Sequence, residues 1–291
     1  GVCRDEVTCV SQAFRRDKGG TLNIEAGAQP TFHGVSETAL QTLGDWGFEH
    51  SREGCGWTDR LAGLLGEQAA MYGQELEYAN LAIRGSRMLE ILTAQLEDAI
   101  ALRPDLVTIM AGSNDLMKSR KHHPALRALL RGAIERLLAN GSQVVVANTI
   151  NPLHLKVFRK LAKRAESMTQ LIEETAAEYG VPVLDVFRIE KFSDLCFWAE
   201  DMVHFSGQGH IRIANDAAAL LDLKYRFVNP ELTPVSRGIV ETTRWIARDV
   251  IPFFDRKLKG VTSGDGMQPK HSALSPFAPV VNQPSWEMVS A

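Results

Sequence analysis

Residues 105–115 read DLVTIMAGSND, an unbroken apolar run that halts at a small polar turn. An apolar run of that length suits a strand buried on both faces, as in a parallel sheet. Its flanks are helical. Upstream, Leu89, Leu92, Leu96 and Ile100 recur at helical spacing, Ser86 is the expected N-cap, and Pro104 ends the pattern. Downstream, residues 124–140 read as a helix closed by Gly141.

The alternation extends in both directions. Strands are expected at 39–43, 76–81, 143–149 and 181–186, and further helices at 57–71, 155–179 and 207–221. Strand–helix alternation implies right-handed parallel crossovers. The expected fold is therefore α/β, a flavodoxin-like three-layer α/β/α sandwich around a five-stranded parallel sheet in the order 2-1-3-4-5. Residues 1–37 show no periodicity and read as an irregular extension, 38–222 as the α/β domain, and 223–291 as a helical segment with a loose tail from Val261.

Bulk properties narrow the function. With 291 residues, 45% of them hydrophobic, the chain can bury a full-sized core. The net charge of −3 and the absence of a long basic stretch do not indicate a nucleic-acid or anionic-membrane surface. No apolar run is long enough for a membrane span, and the start lacks the apolar core of a secretory signal, so the expectation is a soluble, cytoplasmic protein. Cys3, Cys9, Cys55 and Cys196 are spaced for neither a zinc site nor a disulfide scaffold. No cofactor motif is present: there is no phosphate-binding P-loop and no G-x-G-x-x-G. Oligomeric state is not legible.

In an open parallel sheet, ligands bind beyond the carboxyl ends of the strands, near the point where strand order reverses. Four polar turns fall there. They are Gly44-Asp45-Trp46 after the first strand, Gly85 after the second, Gly112-Ser113-Asn114-Asp115 after the third, and Asp201-Met202-Val203-His204 after the last.

These blocks, with Gly56-Trp57-Thr58-Asp59-Arg60-Leu61 and Asn80-Leu81-Ala82-Ile83-Arg84-Gly85, resemble the ordered motifs of the SGNH (GDSL-type) hydrolases. A Ser-x-x-Gly-His segment ending at His210 follows, as in many bacterial members, and the match runs from about Leu43 to Leu221. The resemblance implies hydrolysis of a small-molecule ester. His204 would be the general base and Asp201 would fix its tautomer. The backbone N–H of Gly85 and the amide of Asn114 would form the oxyanion hole. Asp115 reads as a brace for its loop, His210 as a helix-start residue, and His122-His123 as a solvated turn with no metal role.

One position departs from the pattern. Where the family keeps a nucleophilic serine, this chain has Trp46, and an indole N–H can only donate. Three readings stay open. The nucleophile is lost and the chain binds an acyl or sugar ligand or a protein partner; another hydroxyl, with Ser51 best placed, has taken over; or the sequence recorded around Trp46 departs from that of the working enzyme.

Overall fold

The fold was analysed in a computed structural model, which describes residues 13–15, 37–43, 55–83, 85–152, 159–189, 192, 194–228, 238–252, 255, 259, 266, 268–277 and 288–290. In chain order the strands are β1 (Ala13–Arg15), β2 (Glu37–Leu43), β3 (Leu76–Asn80), β4 (Leu106–Met110), β5 (Gln143–Ala147), β6 (Val183–Leu184), β7 (Tyr225–Phe227), β8 (His271–Pro276) and β9 (Met288–Ser290). The helices are α1 (Trp57–Met71), α2 (Met88–Glu90), α3 (Leu96–Leu102), α4 (His123–Ala139), α5 (Arg159–Glu178), α6 (Gly207–Leu220) and α7 (Ile239–Trp245).

Strands β2 to β6 form the parallel sheet, in spatial order β6-β5-β4-β2-β3. Numbered within that set, this is the expected order 2-1-3-4-5. The strand residues show why the run is apolar throughout. Val107 and Ile109 point into one core with α2 to α5, whereas Leu106 and Met110 point into the other with α1 and α6. Both faces are covered, so neither set of alternate residues needs to be polar. The result is three layers.

The sheet is larger than five strands. Residues 271–276, placed by composition in a loose tail, pair antiparallel with β3, and β1 pairs antiparallel with β2. The physical reason for β8 is the exposed row of backbone groups that β3 would otherwise present as an edge strand. Phe277 N–H continues the pairing to the Leu76 carbonyl at 2.7 Å. A separate two-stranded sheet joins β7 to β9.

Helix ends follow their local chemistry. Gly141 adopts φ +89, and Ser142 N–H returns to the Leu137 carbonyl, closing α4. The start of α2 differs from expectation. Arg87, not Ser86, holds the cap position, with its N–H bonded to Glu90 Oε2 at 2.7 Å. The Ser86 carbonyl is engaged elsewhere, as described below. From α2 the chain passes through a π-helical turn, Ile91–Gln95, into α3. Another such turn, Ile246–Val250, continues α7. The expected start of the fifth-strand helix at 155 lies outside the described residues, as do most of residues 1–37.

Candidate active site

Parallel register sets the strand ends level: Thr42 faces Asn80, Leu43 faces Ile109, and Met110, Ala147 and Leu184 align across three strands. The turns that follow therefore leave from one edge of the sheet.

After β4 the chain turns at Gly112, with φ +107. Glycine is required here twice over. The backbone is left-handed, and a Cβ would approach Met168 Cγ at 3.1 Å and Met88 Cε at 3.2 Å. A 3-10 turn, Ser113–Asp115, follows. Asn114 Nδ2 donates to the Ser86 carbonyl at 3.1 Å, and Asp115 Oδ2 accepts Met88 N–H at 2.9 Å. These two bonds hold the Asn114 turn against the turn of Gly85, itself buried at φ +75. The two expected oxyanion donors thus belong to adjacent, mutually bonded turns. Asp115 is the brace: burial raises its carboxyl above the usual range, partly offset by the Met88 N–H.

His204 and Asp201 lie in the loop before α6, both buried. His204 Nδ1 is hydrogen-bonded to Asp201 Oδ2, and Asp201 Oδ1 accepts the N–H groups of Val203 at 3.0 Å and His204 at 3.1 Å. Burial alone would raise the Asp201 carboxyl. The His204 ring charge and these hydrogen bonds outweigh it and hold the group well below the usual carboxylate range. A carboxylate on Nδ1 leaves Nε2 as the ring nitrogen that Asp201 does not engage. The loop is held by backbone bonds from Ala199 N–H to the His204 carbonyl (2.8 Å) and from Ser206 N–H to that of Phe197 (2.9 Å), while Trp198 and Phe205 stack at 5.0 Å.

Several contributors escaped the sequence reading. His210 does stand in the first turn of α6, but its Nδ1 also accepts Trp57 N–H at 3.1 Å, joining the starts of α1 and α6. Burial first, then the charges of Arg60 and His204, push its pKa well down, so the ring is neutral. The fully buried Arg60 donates from Nη1 to the Cys55 carbonyl at 2.5 Å. Asp59 accepts Gly56 N–H (2.8 Å) and Tyr78 Oη–H (3.0 Å), and pairs with Lys270 at 2.9 Å from the segment leading into β8. Trp245 of α7 donates from Nε1 to the Asp201 carbonyl at 2.5 Å. For Lys270 and Trp245 no short motif gives a signal, because their partners Asp59 and Asp201 lie far away in sequence.

Trp46 and Ser51 lie outside the described residues. Among the described residues, no group of three or more His, Cys, Asp or Glu could hold a metal ion, and no helix is long and apolar enough to cross a membrane.

The structure thus holds a buried, hydrogen-bonded Asp201–His204 pair and two mutually bonded turns at Gly85 and Asn114 on a three-layer α/β fold. The chain belongs to the GDSL-like lipase/acylhydrolase family, whose model matches residues 41–212. Among solved structures, a catalytic mutant of an acetylxylan esterase from Geobacillus stearothermophilus is similar at 18% identity and a TM-score of 0.52, over 65% of this chain and 95% of that one. A lipase/acylhydrolase from Enterococcus faecalis is similar at 16% identity and a TM-score of 0.49, over 70% of this chain and all (100%) of that one. At these identities the likeness is one of fold. No curated protein matches the sequence.

Proposed function

We propose that the chain carries a carboxylic-ester hydrolase site, its reacting residues drawn from residues 38–222, for acyl or acetyl esters of small molecules, lipids or sugars. The observation that carries the reading is the buried, hydrogen-bonded Asp201–His204 pair, and the bonded Gly85 and Asn114 turns support it. In this reading His204 Nε2 takes the proton of the attacking hydroxyl and delivers it to the leaving alcohol. The oxyanion of the tetrahedral intermediate accepts hydrogen bonds from Gly85 N–H and Asn114 Nδ2. The buried thiol of Cys196 suits a reducing, cytoplasmic setting.

Trp46 makes the site slow. Loss of a triad serine lowers turnover by a factor on the order of 10⁶, with oxyanion and binding terms sustaining the remainder. Trp46 is also the specific observation that favours the second reading, a catalytically silent relative that binds an acyl or carbohydrate ligand or a protein partner. A fluorophosphonate probe separates the two. Covalent labelling mapped to Ser51 by mass spectrometry assigns a relocated nucleophile and an active enzyme. No labelling, together with saturable binding of an acylated sugar, assigns the binding protein.

A further inference from the structure

The sequence scatters its basic residues, but the fold sorts them. Along α4 and α5 the arginines are matched by acids: Arg127 reaches Glu174 at 2.9 Å and Glu178 at 2.6 Å, Arg131 reaches Glu178 at 3.0 Å, and Arg136 pairs with Glu97. At the sheet edge that bears Asn114 the matching stops. Lys118, Arg120 and Lys121 follow the Asn114 turn, and Lys160, Lys163 and Arg164 occupy the first turns of α5. All are exposed, and among the described residues none forms an ion pair, although the Lys118 charge acts at longer range on the buried Asp115 carboxyl.

The two basic segments are far apart in sequence and stitched together in space. Arg120 Nη2 donates to the Lys163 carbonyl at 2.7 Å, and Arg164 Nη1 donates to the carbonyls of Leu116 and Met117, each at 3.1 Å. Bonds to backbone carbonyls fix a guanidinium without neutralising it. His123 registers the local field: burial, then the charge of Arg120, lowers its pKa. Apolar side chains are interleaved with the cations. Met117 is 43% exposed, and Leu89 is 55% exposed on the segment bonded to Asp115 through Met88.

We propose that this face docks on an anionic phospholipid surface, turning the Asn114 edge of the candidate site toward the bilayer. Unneutralised lysine and arginine supply attraction to anionic headgroups, and exposed aliphatic side chains reach the acyl boundary. A nucleic-acid partner fits less well, because stacking on bases calls for aromatic rings, and among the described residues of this face no Phe, Tyr or Trp is exposed.

The test is sedimentation of the full chain with vesicles of phosphatidylcholine, alone or mixed with phosphatidylglycerol. Binding to the mixed vesicles only, released by high salt, is expected. Lys121→Glu combined with Lys163→Glu should weaken it by roughly tenfold or more, and Arg136→Gln, at the paired end, should not. If the charge-reversed protein loses its circular-dichroism signature, Lys118→Gln with Lys160→Gln replaces it, with weaker binding again expected. Equal binding to both vesicle types overturns the proposal, as does binding indifferent to these substitutions. Tighter capture by a single-stranded oligonucleotide, or full competition by inorganic phosphate, also overturns it by assigning the patch to a soluble anion. Vesicle binding needs no turnover, so failure of the esterase reading leaves this result standing, and the reverse also holds.

Discussion

A serine hydroxyl both attacks and, on proton loss, needs a base within reach; an indole does neither. Restoring the hydroxyl with Trp46→Ser should raise p-nitrophenyl acetate hydrolysis well above that of the parent, and adding His204→Ala should remove the gain. A parent that is already fast and is silenced by Ser51→Ala would refute the account, because the nucleophile would have moved rather than disappeared. The Asp201–His204 pairing and the bonded turns of Asn114 and Gly85 were legible in the sequence because each sits in a short motif. The second role of His210 was not, since its partner Trp57 lies 153 positions away and the contact exists only once α1 and α6 pack. That contact carries a further expectation. His210 is buried and neutral with a depressed pKa, whereas in the unfolded chain it titrates near 6.5. The unfolded state therefore binds the proton first, and the His210 contribution, complete above about pH 6.5, is lost as pH falls below it, by at most about 1.4 kcal/mol per pH unit. His210→Asn keeps an acceptor for Trp57 N–H and removes the titration. Urea midpoints measured at pH 7.5 and 5 should separate less in the variant; an equal separation would place the acid sensitivity elsewhere.

Elements beyond the family match do local service for the site. Helix α7 begins after residue 212, yet its Trp245 bonds the Asp201 carbonyl, and Arg248 beyond it reaches Glu200 at 3.5 Å. Trp245→Phe preserves a buried ring and deletes the N–H. It should cost about 1–3 kcal/mol for the unmatched carbonyl and shift the downfield imidazole N–H resonance of His204. A lowered melting temperature with that resonance unmoved would reduce Trp245 to a packing role. The C-terminal strand is the other such element. Composition rich in Ser, Pro and Gly read as a tail, because pairing with β3 depends on a bare strand edge that no local pattern reveals. Ending the chain before Lys270 should remove the ion pair to Asp59 and expose that edge. Light scattering should then show concentration-dependent association, and a monodisperse truncated protein would show that β3 protects itself.

At the scale of the whole molecule, the parallel order was readable because every crossover is a helix of ordinary length between apolar strands. The antiparallel strand β8 was not, since it joins β3 across most of the chain. Charge behaved likewise: a net charge of −3 conceals a positive edge that only tertiary packing assembles. The distance in sequence between β3 and β8 also has a meaning in time. A ribosome adding about 5–20 residues per second needs roughly 10–40 s to travel from Asn80 to Pro276. Throughout that interval the nascent chain displays an unpaired, buried-type strand edge to its neighbours on the same messenger. Crowded polysomes, rather than the finished protein, are where this fold is most exposed to mispairing, and holdase chaperones acting there would govern its yield.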